Sequence, residues 1–204
     1  MASDPTSAAP YSLSFTSGSL LMRETAVATP LYLEEHDWTE VRALIERQNL
    51  LQARTPASGQ RRVRETVQRL QVLTDPELEF LEGADSEDRG YLLWVAACRR
   101  YALIGEFAED VLRERFLLLG TTIDHNDFDG FIRERALWHD ELSDLKASTL
   151  RKLRATLFRM LIEAGLLSEK WIIQPVLLSE DLLKLLNVQS PSDIRFFPTR
   201  EGTA

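Results

Sequence analysis

Apolar residues recur at three- and four-residue intervals through most of this chain, and that spacing predicts a run of amphipathic helices. Residues 1–10 (MASDPTSAAP) are small, polar and proline-containing and read as a disordered leader, followed by a short alternating segment from Tyr11 to Phe15. From Ser17 or Ser19 a helix carries Leu20, Leu21, Met22 and Ala26 on one face. Pro30 is expected to end or kink it, because proline lacks an amide hydrogen and restricts Thr29 before it; Leu31 to Glu35 is then a second piece. Residues 39–51 form a further helix with Val41, Leu44, Ile45 and Leu51 inward. After a loop at 53–59, a helix opening at Ser58 or Gly59 runs through Leu73 with Val63, Val67 and Leu70 at helical spacing. Asp75-Pro76 reads as the cap and first position of a short helix. Residues 86–119 are the longest apolar-rich stretch, and Gly105 is the expected break between two helices there.

The run from Gly120 to Gly130 gathers turn formers and cap residues behind a helix-stop glycine, which marks a boundary between two domains. Beyond it the pattern predicts a helix from Phe128 to about Trp138, a short one from Asp140 to Leu145, and a long one from Lys146 to Gly165. In the long helix Leu150, Leu153, Leu157, Leu161 and Ala164 share a face, capped by Ser148 at the start and closed by Gly165 at the C′ position. A turn of about 100° per residue puts Arg151, Lys152, Ala155 and Arg159 on the far side, with Arg154 on the flank. The β-prone Trp171-Ile172-Ile173, then Pro175 and Val176 to Leu178, predict a short hairpin before a last helix opening at Ser179. The tail from Gln189, with Ile194, Phe196 and Phe197, is expected to pack back onto the body. The expected fold is therefore mainly α: an N-terminal helical bundle over residues 11–120, then a winged-helix-like module with a short β-hairpin over 121–204.

Charge changes this picture. The chain of 204 residues carries a net charge of −8, which argues against a general polyanion binder and confines any nucleic-acid surface to a local patch. Yet from Leu145 through Ile162 there are five basic residues and no acidic one. A solvated basic face is common, but acidic residues normally interleave through (i, i+4) pairing, and here they are absent for about five turns. Lys146, Ser148, Thr149, Arg151, Lys152, Arg154 and Arg159 are thus candidate contacts to double-stranded DNA, chiefly to its phosphates. A second, smaller cluster of candidate DNA contacts, Arg61, Arg62 and Arg64, falls in the first turns of its helix, where cations oppose the macrodipole.

Other chemistry is thin. Cys98, the only cysteine, lies in the apolar run WVAAC and reads as a core residue in a reducing compartment. No apolar run reaches the roughly 18–20 residues a membrane span needs, and no signal peptide stands at the N-terminus. A soluble, cytoplasmic protein with no membrane partner is expected. Asp124, His125, Asn126, Asp127 and Asp129 approach a calcium-loop pattern, but histidine stands for the first aspartate and Ala136 for the closing glutamate. Glu106, Glu109, Asp110 and Glu114 interleave with Arg113 and Arg115 and read as a solvated face. With no P-loop, no dinucleotide-binding glycine motif, no Ser-His-Asp pattern and no metal-ligand spacing, neither an enzyme nor a cofactor is expected.

Several stretches together, YSLSFTSGSLL with Glu24 following, RRVRETVQRLQVL, EFAEDVLRERF and STLRKLRATLFRMLIEAGLL, resemble the BrxA family of the BREX phage-defence system. The resemblance spans about Tyr11 to about Leu186 and rests on helix patterns rather than on a catalytic signature. It implies a helical, non-enzymatic component of a multi-gene system that marks host DNA by methylation and blocks phage replication. The family has been likened to the RNA-binding antitermination factor NusB and to DNA-binding proteins. Three roles follow as expectations: duplex-DNA binding, docking onto larger BREX components, and RNA binding.

Overall fold

The computed structural model describes residues 9–16 and 18–200. Except for Ala9 and Pro10, the expected leader lies outside them, as does Ser17. The chain folds as a mainly helical protein. Five helices come first: α1 (Met22–Glu35), α2 (Trp38–Gln48), α3 (Pro56–Leu70), α4 (Asp75–Gly83) and α5 (Ser86–Arg100). Most starts are capped by the residue type expected there. Asp37 accepts from the Thr39 amide, Thr55 from Ser58, and Asp85 from Glu87 and Asp88. For α4 the cap is Thr74 rather than Asp75, because Thr74 and Glu77 close a reciprocal capping box.

Two expected breaks fall elsewhere. Helix α1 runs unbroken through Pro30 and stops only at His36, whose left-handed φ of 50° ends it. A proline inside a helix costs about 3 kcal/mol. Packing of α1 against α2, α3 and α4, with Thr25, Ala28 and Thr29 buried, outweighs that local penalty. The second break comes at Tyr101, where φ −126° and ψ 97° separate α5 from α6 (Ala102–Phe107). Gly105 lies inside α6. A Cβ there would stand 3.1 Å from the Cys98 carbonyl oxygen and 3.3 Å from the Phe196 ring, so this glycine permits close packing rather than a bend. A π-helical segment (Ala108–Arg113) and α7 (Glu114–Leu117) continue from α6.

The remaining helices are α8 (His125–Arg135), α9 (Asp140–Ser143), α10 (Ala147–Glu163) and α11 (Glu180–Leu186), followed by a 3-10 turn at Asp193–Phe196. Helix α8 opens three residues earlier than the apolar pattern indicates, because Asp124 and Asp127 form a capping box. These aspartates serve a helix start, and among the described residues no three His, Cys, Asp or Glu side chains gather as a metal site. Glu109, Asp110 and Glu114 are exposed, as expected of a solvated face, and Glu106 is half-buried; from that face Glu106 and Asp110 both pair with Arg135 and tie the α6 region to α8.

The expected β-hairpin is not formed as a ladder of strands, and with it goes the sheet of the winged module. Among the described residues there are two isolated antiparallel bridges, Thr122 with Ile172 and Leu167 with Ile173. The backbone groups of 171–173 are divided between two partners: Ile173 donates to Thr121, while the Ile172 carbonyl accepts from Ser168. Trp171, at φ 66°, breaks the extended run before it lengthens.

Buried side chains from both sides of residue 120 belong to one apolar cluster that extends from Tyr11 to Phe197. The tail enters it as expected: Ile194, Phe196 and Phe197 are buried, and the Phe196 carbonyl accepts from Trp94 Nε1 at 3.0 Å. Arg99 clamps the same region, donating to Glu77 at 2.5 Å and to Asp193 at 2.8 Å. Burial opposes ionisation of Glu77, but the Arg99 guanidinium and the Thr74 donors outweigh it and hold the carboxyl below its ordinary range.

Candidate nucleic-acid interface

Helix α10 carries most of the candidate residues. Its first residue follows Lys146, which is extended at φ −62°, ψ 139° and makes no side-chain cap. Ser148 therefore lies within the first turn, exposed, and is not the cap the sequence indicated. At the other end Gly165 takes φ 70°, the Leu166 amide reaches the Leu161 carbonyl, and the Gly165 amide reaches Ile162. That pair of bonds is a Schellman closure, as the glycine indicated.

The two faces separate as the spacing predicts. Leu153, Leu157, Leu161 and Ala164 are buried, Leu150 is half-buried, and Thr156, Phe158 and Met160 widen the apolar side. Phe158 packs on Phe107 and Trp171 and anchors the helix in the core. Opposite, Arg151, Lys152, Ala155 and Arg159 are exposed. None of these three cations has an ion pair or hydrogen-bond acceptor among the described residues. Lys146 is likewise exposed and unpaired, and Thr149 is half-buried. Arg154 differs: it donates to Asp129 of α8 at 2.6 Å, so its charge is already met.

That ion pair also orients the neighbouring helix. His125 packs on Phe158, with ring centres 4.8 Å apart, and four residues later Asp129 meets Arg154, four residues earlier in α10. The two helices therefore run past one another in opposite directions. Arg133, one turn beyond Asp129, is exposed and unpaired, and follows the same face toward the start of α10. Sequence spacing alone gave no reason to join it to α10, because the join depends on the packing direction. Leu137 and Trp138 lie just past the end of α8 and are 74% and 72% exposed. His125 has its pKa pushed down, first by burial and then by the Arg154 guanidinium, with Asp129 and Asp124 opposing.

The N-terminal cluster is split. Helix α3 begins at Pro56, so Arg61, Arg62 and Arg64 lie in its second and third turns and not at the dipole's positive end. The capping geometry of Thr55 extends the helix backward through residues that composition marks as loop. Arg62 pairs with Glu24 of α1 at 3.3 Å and lines a hollow with Arg23 and Leu51. Arg61 and Arg64 line a different cleft, together with Arg100, which the sequence reading did not connect to them.

Among the described residues no helix is long and apolar enough to cross a membrane. A solved crystal structure of an uncharacterized protein from Magnetospirillum magneticum has the same fold, with a TM-score of 0.80 at 21% identity over 92% of this chain and 98% of that one. The chain is 26% identical over 180 residues to the BREX protein BrxA of Paramagnetospirillum magneticum, covering 86% of this chain and 89% of that protein. To the BREX protein BrxA of Escherichia coli O9:H4 it is 24% identical over 148 residues, covering 72% and 70%. A family model described as BrxA matches residues 9–190, and the chain belongs to that family.

Proposed function

We propose that this chain is a non-enzymatic component of a BREX phage-defence system, acting in the cytoplasm, that binds double-stranded DNA through the exposed face of α10. The observation that carries the reading is the unpaired trio Arg151, Lys152 and Arg159 on one helix face of a protein with net charge −8. Membership of the BrxA family supports the defence role, since two relatives are named BREX proteins. Guanidinium and ammonium groups without carboxylate partners attract a phosphate backbone at no cost in broken ion pairs. Lys146 and Arg133 extend the surface, with Ser148 and Thr149 adding hydroxyl donors near the helix start. The order α8, short α9, long α10 supports a helix-turn-helix style of docking in which α10 approaches the major groove.

With about five phosphates neutralised, affinity is expected to fall with salt at a log–log slope of roughly −4 to −5. Mobility-shift titrations with duplex DNA, single strands and RNA at two salt concentrations measure both slope and preference. Reversal of Arg151, Lys152 and Arg159 to Glu is expected to abolish duplex binding. Surface changes of this kind move stability by only about 0.5 kcal/mol, so the melting temperature is a control. Affinity indifferent to salt, or duplex binding that survives the reversal, would refute the α10 interface. A second reading, a protein adapter, is favoured by the exposed Leu137 and Trp138 just past the end of α8. It predicts that the reversal abolishes co-purification with other BREX proteins while leaving duplex binding intact.

A further inference from the structure

The cleft between α3 and the end of α5 holds a second concentration of positive charge, separate from α10. Its volume is about 430 Å³, and Arg61, Arg64, Arg100, Ser14, Thr16 and Gln68 line it. Arg61, Arg64 and Gln68 lie at successive turns on one side of α3, which aims them into the same space. Arg61 and Arg64 are exposed and have no hydrogen bond or ion pair among the described residues. Arg100 is held in place: its guanidinium lies 5.1 Å from the centre of the Tyr101 ring and donates to Gln68 Oε1 at 3.5 Å. Thus three guanidinium groups share one small hollow.

One carboxylate, Glu65, also lines the cleft, but it is committed elsewhere. Its Oε1 accepts from Arg69 Nε at 2.9 Å and from the Tyr101 hydroxyl at 2.5 Å, and Arg69 offsets its charge. Glu65 therefore neutralises none of the three rim arginines. Like charges gathered around one hollow repel one another, and the repulsion is relieved when an anion enters. Planar guanidinium forks match the oxygen edges of a phosphate, and hydroxyls such as those of Ser14 and Thr16 donate to a remaining oxygen. Three cations without carboxylate partners suit a multiply charged phosphate better than a singly charged carboxylate.

We propose that the Arg61–Arg64–Arg100 cleft is a phosphate-binding site, distinct from the α10 surface. Two sources share this chemistry: a free polyphosphate group, as in a nucleotide, and the phosphates of a nucleic-acid backbone. Titration calorimetry of the full chain with sodium pyrophosphate at low ionic strength is the primary test. Saturable binding is expected, weakened about tenfold or more in Arg64→Gln and in Arg100→Gln. Neither side chain is in the core, and melting temperatures without ligand check that both variants fold. Reversal of Arg151, Lys152 and Arg159 is expected to leave pyrophosphate binding unchanged, so this site stands or falls apart from the α10 reading. If the two glutamine variants also weaken duplex binding, the backbone supplies the phosphate; if duplex binding is unaltered while pyrophosphate binding is lost, the ligand is a free polyphosphate. Pyrophosphate binding that both variants retain overturns the proposal, as does its absence alongside unaltered duplex binding in both variants.

Discussion

His125 shows how one side chain can report on the packing of α10. It packs against the rings of both Phe158 and Trp171, with centres at 4.8 and 4.2 Å, and beside the Arg154 guanidinium. Burial and that neighbouring cation hold its folded pKa below the ordinary 6.5. Between the folded value and 6.5 the unfolded chain binds more protons, so stability rises with pH across that window. It is lost as pH falls through 6.5 and levels off once the folded imidazole also protonates. Urea titrations between about pH 5 and 7 should show this slope, and His125→Gln should flatten it. An unchanged slope in that variant would place the titrating group elsewhere. The residue that looked like part of a calcium loop is instead the first helical residue after an Asp cap, packed on aromatic rings.

At the scale of elements, the two faces of α10 were the most legible feature in the chain. A strict three- and four-residue spacing admits only one amphipathic arrangement, and the buried leucines and exposed cations follow it. Leu157 lies at the middle of the stripe and is fully buried. Leu157→Ala should cost about 2–5 kcal/mol, seen as an earlier denaturation midpoint, through lost burial and the cavity left behind. A midpoint equal to wild type would mean the stripe is not part of the core. What sequence spacing misplaced were the punctuation marks. Pro30 and Gly105 are strong local signals for a break, yet both sit inside helices because their surroundings demand it. At Pro30 three packed helices outweigh one missing bond; at Gly105 the carbonyl of Cys98 needs the space that a methyl group would take. The β-prone Trp171-Ile172-Ile173 met the same fate, its backbone bonds shared between the distant 121–123 segment and the adjacent turn at Ser168. Local preference decided these elements only where no long-range partner outbid it. The candidate site divides along the same line. Which cations face outward could be read from spacing, but the Arg154–Asp129 pair, the splitting of Arg62 from Arg61, and the arrival of Arg133 and Arg100 depend on how helices cross.

For the whole molecule the decisive contacts are long in sequence. Removing residues from Gln189 onward deletes three large buried side chains, Ile194, Phe196 and Phe197. Each such loss costs about 2–5 kcal/mol, against a total stability of about 5–15 kcal/mol for a typical domain. The shortened chain should therefore show no cooperative melting transition by circular dichroism. A normal transition would mean that the tail decorates a core already complete without it. The tail also supplies hydrogen-bond partners. Trp94 finds its acceptor 102 residues later, and Arg99 finds one of its carboxylates 94 residues later. During synthesis, the α5 segment leaves the ribosome long before Asp193 and Phe196 exist. Through that interval a tryptophan N–H destined for the interior has no acceptor, and water must serve until the turn at Asp193–Phe196 arrives. A chain that stops before Asp193 lacks that acceptor and leaves uncovered the apolar seam that Ile194, Phe196 and Phe197 fill. The Trp94–Phe196 hydrogen bond thus forms only after the chain has been made as far as Phe196.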